Sequence, residues 1–147
     1  MPITIRRACL DDIDKITPLF NAYRIFYGQP ADMEGALAFI TARLALNESV
    51  IFIAFDNETA VGFTQLYPIF SSVSMQRTWL LNDLFVHTAA RGKGAGTALL
   101  NATKTFGRDT QSKWLLLETA PDNTKAQALY EQNGWIKSDE FFYTFGL

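Results

Sequence analysis

Three glycines on alternate positions, Gly92, Gly94 and Gly96, stand between an apolar, β-prone run over residues 79–86 and a segment of helical spacing that begins at Thr97. Glycine belongs where a main chain takes positive φ or must approach a ligand closely. The first turn of a helix adds unpaired N–H groups and the positive end of a dipole. A glycine loop that opens a helix is therefore a seat for phosphate. Spacing decides which kind. Lys93 precedes the last two glycines, so the P-loop order of Gly, four residues and Gly-Lys-Ser/Thr is absent. Leu99 stands where the dinucleotide fingerprint G-x-G-x-x-G needs its third glycine. Glu118 lies about as far downstream as the ribose-binding acid of that fold would, but a carboxylate cannot restore a loop of the wrong spacing.

The stretch resembles instead the pyrophosphate loop of the GNAT superfamily of N-acetyltransferases, which reads Arg or Gln, two residues, Gly, one residue, then Gly or Ala. Arg91, Gly94 and Gly96 match its fixed positions. A second segment, running from Asn123 through Ala126, Leu129 and Tyr130 to Gly134 and Trp135, is similar to the family's Asn-x-x-Ala-x-x-Leu-Tyr run ending in Gly-aromatic. With the strand ahead of them, the two motifs cover the later half of the chain. Residues 66–68 and 78–84 also look like the branch that contains histone and polyamine acetyltransferases, which points to a cationic amine.

The resemblance implies an N-acetyltransferase with acetyl-CoA as co-substrate and no metal. It would acetylate a primary amine of a polyamine-like or amino-acid-like small molecule, or an exposed protein amine, by direct attack in a ternary complex. The main chain of Arg91, Gly92, Lys93, Gly94, Ala95, Gly96 and Thr97 would grip the diphosphate. Arg91 and Lys93 would add charge, solvated surface being the other reading of both. The main chain of Phe85 and Val86, freed by a bulge, would bind the pantetheine amides and polarise the thioester carbonyl. Asn123 would cap the helix it opens and, with Ala126, meet the cofactor. Tyr130 takes the family's role of proton donor to the leaving sulfur; a tyrosine that only packs is the alternative.

The amine sets the harder requirement. An alkylamine with a pKa near 10.4 is neutral in only about one molecule in 2,500 at pH 7, a penalty of roughly 4.6 kcal/mol. A base must offset it. Asp83 and Glu118 lie near the carboxyl ends of the two central strands and are the candidates, directly or through water. The alternative for either is a strand-end carboxylate that holds a backbone N–H. Tyr23, Tyr27, Glu34 and Tyr67 mix aromatic and acidic character where an acceptor would bind, although most of an aromatic stripe at helical spacing is core. His87, the one histidine, reads as a strand-end residue rather than a base.

These groups need a scaffold, and the chain spells one out. Residues 3–8 alternate as an opening strand, and Asp11 and Asp12 suit the start of a helix that runs to Gly28, with Pro18 bending or splitting it. A second helix spans 31–47. Strands follow at 50–56 and 59–70, joined by a tight turn, with Pro68 ending regular pairing or lying at an edge. A long strand at 76–86 feeds the glycine loop, and its helix ends near Arg108. Residues 113–119 form a continuous apolar strand of a covered sheet. A last helix and two final strands, 135–137 and 141–145, close the chain. The order β-α-α-β-β-β-α-β-α-β-β is that of a mixed α/β sheet, and it agrees with the GNAT fold: mostly antiparallel strands splayed at the cofactor site.

At 147 residues the chain has the size of one domain, 1–147, able to bury a real core. A net charge of -2 and a pI near 5.3 give no basic face for nucleic acid. No apolar run approaches a membrane span, and the first four residues lack the pattern of a signal peptide, so a cytoplasmic protein is expected. The single Cys9 excludes an internal disulfide framework and reads as a small buried residue. A homodimer is expected, because the superfamily often pairs. A non-catalytic acyl-CoA-binding regulatory module and a nucleotide-binding protein remain the competing readings.

Overall fold

The computed structural model describes residues 2–147; Met1, counted above in the expected domain and leaderless start, lies outside them. Five strands form one open sheet in sequence order. β1 (Ile3–Arg7), β2 (Val50–Asp56), β3 (Thr59–Ser71) and β4 (Gln76–Val86) are antiparallel neighbours, and β5 (Leu115–Leu116) runs parallel to β4. Helices α1 (Ile13–Phe26) and α2 (Met33–Ala45) pack on one face, and α3 (Ala95–Asp109) and α4 (Thr124–Gln132) on the other. The layering explains why β2 is apolar at successive positions. Ile51, Ile53 and Phe55 meet Ile16, Leu19 and Ile40, while Val50, Phe52 and Ala54 belong to the core built on Leu99 and Leu100.

Several local expectations are corrected. Of the two outcomes expected at Pro18, the split does not occur: α1 runs as one helix through it, and Pro18 and Asp14, whose carbonyl loses its intrahelical donor, both lie on the exposed side. Pro68 does not end pairing: β3 stays in register with β4 through Pro68↔Trp79 to Ser71↔Gln76. Pairing with β2 stops at Leu66, so Pro68 lies at a local edge where no N–H is needed. Cys9 is exposed, not buried. β1 has already ended, Ala8 takes the inward position, and the thiol donates to Asp12 Oδ2 (3.5 Å) in the turn before α1.

The C-terminal third departs most. Of the strand expected at 113–119, only Leu115 and Leu116 pair with β4, opposite Trp79 and Leu80. The expected final strands at 135–137 and 141–145 are absent: residues 133–147 carry no strand, and Phe141, Tyr143 and Phe145 are exposed. Apolar alternation supplies side chains for a face, but a strand also needs a neighbour's N–H and C=O groups. A two-residue β5 offers almost none.

Two register shifts shape the sheet. One lies between β2 and β3 at Ala54/Phe55. The other matters for chemistry: Gln65 pairs with Asp83 but Leu66 pairs with Leu81, leaving Asn82 as the extra residue of a bulge in β4. Trp79 and Leu81 point toward α3, and strict alternation would send residues 83 and 85 the same way. The inserted Asn82 reverses the parity. Phe85 joins the α1/α2 core, and Asp83 lines a cavity on that side.

Candidate active site

Two cavities flank the bulge. The first, of about 420 Å³, lies on the α1/α2 side between Phe20, Tyr23, Phe39, Tyr67 and Asp83. The second, of about 560 Å³, opens where β5 stops pairing and the chain after it leaves β4; Leu81, Asn82, Leu117, Glu118 and Tyr27 line it. Tyr23 and Asn82 border both. The Tyr23 hydroxyl donates to the Asn82 carbonyl (3.3 Å), so α1 is tied to the bulge.

Asp83 is the most deeply placed carboxylate here, 2% exposed. Its Oδ1 accepts from Asn82 Nδ2 (2.7 Å) and its Oδ2 from Gln65 Nε2 (2.5 Å). Burial pushes its pKa above the ordinary carboxylate value, against the lowering influence of Asn82, Gln65 and Tyr23. The phenols around it are held protonated. Burial, helped by Asp83, raises Tyr23 far above its usual range and Tyr67 to about 12.

The glycine loop has the form that phosphate binding needs. Gly92 and Gly94 take φ of +82° and +83°, and Gly94 caps α3 in the left-handed region. Among the described residues, the N–H groups of Gly92 through Thr97 donate to no protein acceptor; the first bond of the helix runs from Ala98 N to Gly94 O. Gly96 serves packing, since a Cβ there would stand 3.1 Å from Leu129 Cδ2 of α4. The two cations are partly committed elsewhere. Lys93 Nζ pairs with Asp56 Oδ2 (2.7 Å), and Arg91 Nε donates to Val86 O (3.3 Å) while its guanidinium lies over Phe26. The N–H groups and the open gap beside β4 suit a diphosphate with a pantetheine arm.

The other sequence-derived residues are placed unevenly. Phe85 and Val86 pair in register with Phe63 and Gly62, and the bulge lies at Asn82, not at them. Asn123 caps α4, accepting from Ala126 N (3.3 Å). Tyr130 is half-buried against Trp135, and burial, with Tyr27 nearby, lifts its phenol to about 12. Glu118 is exposed at the rim of the second cavity, apart from Asp83 in the first. Tyr23 and Tyr67 reach the first cavity and Tyr27 the second, whereas Glu34 is exposed in the first turn of α2 and lines neither. His87 caps the short turn after β4, its Nδ1 accepting from Ala89 N (3.3 Å).

The profile of the Acetyltransferase (GNAT) family matches residues 16–135. The chain belongs to the GNAT family. This N-acetyltransferase is 52% identical over 96% of its length to the uncharacterized N-acetyltransferase YhfO of Bacillus subtilis, of which the match covers 95%. A probable acetyltransferase of Haemophilus influenzae is 46% identical over 74% of this chain and 75% of its own. A crystal structure of a probable acetyltransferase superposes with a TM-score of 0.93 at 39% identity, over 98% of this chain and 97% of that one. The mixed sheet and its four helices are thus the GNAT fold, as the order of elements implied.

Sequence reasoning missed Gln65, Ser49 and Asn82. The signal for Gln65 was an amide inside an otherwise apolar strand, and that for Asn82 a polar pair, Asn82-Asp83, interrupting the run from Trp79 to Val86. Neither reveals a partner without the fold.

Proposed function

We propose that this GNAT enzyme transfers the acetyl group of acetyl-CoA to a primary amine of a polyamine-like or amino-acid-like small molecule, or to an exposed protein amine, in a ternary complex. The observation that carries the reading is the pair of cavities meeting at Tyr23 and Asn82, with a buried carboxylate on one side and the gap between β4 and the chain after β5 on the other, beside the strand that runs on to the free N–H groups of the glycine loop. Two reactants entering from opposite faces of the bulge would meet there.

Acetyl-CoA supplies an activated thioester: the amine nitrogen bonds to the acetyl carbon, the carbon–sulfur bond breaks, and the sulfur leaves as a thiol. The N–H groups of residues 92–97 would hold the diphosphate with the α3 dipole behind them. Asn123 and Ala126 at the start of α4 would flank it, and Phe85 and Val86 would face the pantetheine arm. Asp83 would take the proton of the incoming ammonium. Burial raises its proton affinity, which narrows the gap to an alkylamine and makes it a better base than an exposed carboxylate. Tyr130, protonated throughout the physiological range, would give its proton to the departing sulfur and be reprotonated by the second proton that the attacking nitrogen sheds as the amide forms. Glu118, at the rim, is the second candidate for relaying a proton through water. Aromatic Tyr23, Tyr27 and Tyr67 would enclose the acceptor, with Glu34 at the outer edge of α2.

The working form is proposed to be a cytoplasmic homodimer, for which the exposed aromatic tail supplies apolar surface. No helix among the described residues is long and apolar enough to cross a membrane. Release of free thiol from acetyl-CoA, measured with spermidine, lysine and a peptide bearing a free N-terminus, tests the reaction. Acetyl-CoA that binds tightly but yields no thiol above background with any of the three would overturn it.

A further inference from the structure

Asp83 is the end of a chain of buried polar side chains. Ser49 is 7% exposed and Gln65 fully buried, and they stand in line behind it. Ser49 Oγ donates to Gln65 Oε1 (2.8 Å), and Gln65 Nε2 donates to Asp83 Oδ2 (2.5 Å). We propose that Gln65, oriented by Ser49, is a positioning residue that aims the Asp83 carboxylate into the acceptor cavity and sets how readily it takes a proton. The inference rests on the reading of Asp83 as the proton acceptor given above.

Three observations support it. First, an ionised carboxylate only accepts, so the amide nitrogen must face Asp83 and the amide oxygen must face Ser49. The Ser49 hydroxyl donates to that oxygen and holds the amide in place, while the reverse orientation is costly because it would set the amide oxygen against the carboxylate. Second, Gln65 and Asp83 are direct partners across β3 and β4 at the last pair before the bulge. The amide therefore holds the carboxylate at the point where the strand's parity changes, and Asn82, the bulged residue, holds the other oxygen. Third, Phe63 and Leu66 show that this part of β3 is core, where an apolar side chain would fill the space without polar groups to satisfy. A three-membered polar chain that ends in the cavity is accounted for by what it does to Asp83.

The other ionisable groups around the first cavity are Tyr23 and Arg24 from α1, Asp32 at the cap of α2, and Tyr67 from β3. All are retained in the variants that follow. The test compares Gln65→Leu, Ser49→Ala and Asp83→Asn with the parent enzyme. The titration of Asp83 is followed by side-chain carboxyl ¹³C NMR, which needs no acceptor, and the pH dependence of kcat is followed with spermidine and lysine. Gln65→Leu removes a donor to the ionised form, so both the NMR midpoint and the acidic limb of kcat should move to higher pH, by about one pH unit. kcat at neutral pH should fall about tenfold while KM for acetyl-CoA is unchanged. Ser49→Ala should move both in the same direction by less. If Gln65→Leu lowers thermal stability but leaves midpoint and limb where the parent has them, Gln65 is a packing residue and the inference is wrong. Should Gln65→Leu fail to fold, an unmoved midpoint in Ser49→Ala has the same force. Parental kcat and limb in Asp83→Asn would instead overturn the underlying base assignment, a result distinct from either.

Discussion

Gly94→Ala isolates the contribution of loop conformation to cofactor binding. A Cβ at position 94 meets no heavy atom within 4 Å, so the methyl group has room and the backbone alone opposes it. That opposition is definite, because φ at Gly94 is +83° and ψ 12°. Holding an L-residue in the left-handed region costs about 1–2 kcal/mol. In the free variant the loop is expected to relax, turning N–H groups of the phosphate seat away, and acetyl-CoA must then restore the original shape. The cost transfers to binding as about a 5–30-fold rise in Kd. Where the loop holds its shape, the same cost registers as a thermal midpoint lower by about 2–4 °C per kcal/mol in a chain of this size. Titration calorimetry with acetyl-CoA and a thermal melt, run on Gly94→Ala and Gly94→Asn, separate the two. Asn tolerates this region better and should recover part of whichever loss Ala shows. Parental Kd and parental midpoint together in Gly94→Ala would refute the reasoning. Gly96→Ala is the contrast: its Cβ meets only the end of Leu129, a flexible side chain, so any loss should largely vanish in the double variant with Leu129→Ala.

Tyr130→Phe should lower kcat by roughly 10²-fold with little change in Kd for acetyl-CoA; because burial pushes its phenol up to about 12, the substitution should move no limb of the pH–rate profile below pH 10. Asp12→Asn removes the carboxylate that accepts from Arg6 Nη1 and Nη2 (2.8 and 2.9 Å) and from Cys9 N (2.9 Å). Urea unfolding at pH 7 should report a loss of about 1–2 kcal/mol, near the low end for charged hydrogen bonds because Arg6 is half exposed. Arg6 holds the Asp12 pKa below its ordinary value of 3.8, so this stability is present above that pH and is lost as pH falls through the lower folded value; the parent and variant should converge in acid. Leu99→Ala, at a fully buried position between α3 and the sheet, should cost about 2–5 kcal/mol in the same assay without altering the shape of the pH–rate profile.

What was legible in the sequence was local. β2 at Val50–Asp56 and β4 at Gln76–Val86 lie where β-prone runs bounded by turn residues put them. The residues of the glycine loop are contiguous, as are those of the Asn123 cap, so spacing alone located each. What could not be read depends on partners far along the chain. Residues 113–119 have an apolar run long enough for a strand, yet only Leu115 and Leu116 form one, and the main-chain bonds that Lys113 and Trp114 make with β4 do not continue past Leu116. The aromatic tail has strand periodicity and no strand to join. Cys9 was misjudged because the strand beside it ends at Arg7, two residues before it. Asp83 and Glu118 looked equivalent, each near the end of a central strand. The structure separates them by burial: one faces a cavity with two donors fixed on it, the other stands at an exposed rim.

That separation traces to a single inserted residue. Without Asn82 as a bulge, β4 would keep Trp79, Leu81, residue 83 and residue 85 on one face, burying a carboxylate against Leu99 and Leu100 with no donor for it. With the bulge, the same side chain turns to the opposite face, gains Gln65 and Asn82 as donors, and opens onto a cavity walled by α1 and α2. The bulge also frees the carbonyl that Tyr23 binds, at the boundary between the two cavities. The chemistry proposed for this enzyme therefore depends less on having an aspartate at position 83 than on the pairing error beside it. Deleting Asn82 makes Leu81 and Asp83 consecutive, so Asp83 keeps its face and its pairing with Gln65 but loses the Asn82 amide and the carbonyl that Tyr23 binds; turnover should fall while the glycine loop still binds acetyl-CoA. Parental turnover in a folded, acetyl-CoA-binding deletion variant would show that the Asn82 amide and the Tyr23 tie contribute nothing to the chemistry.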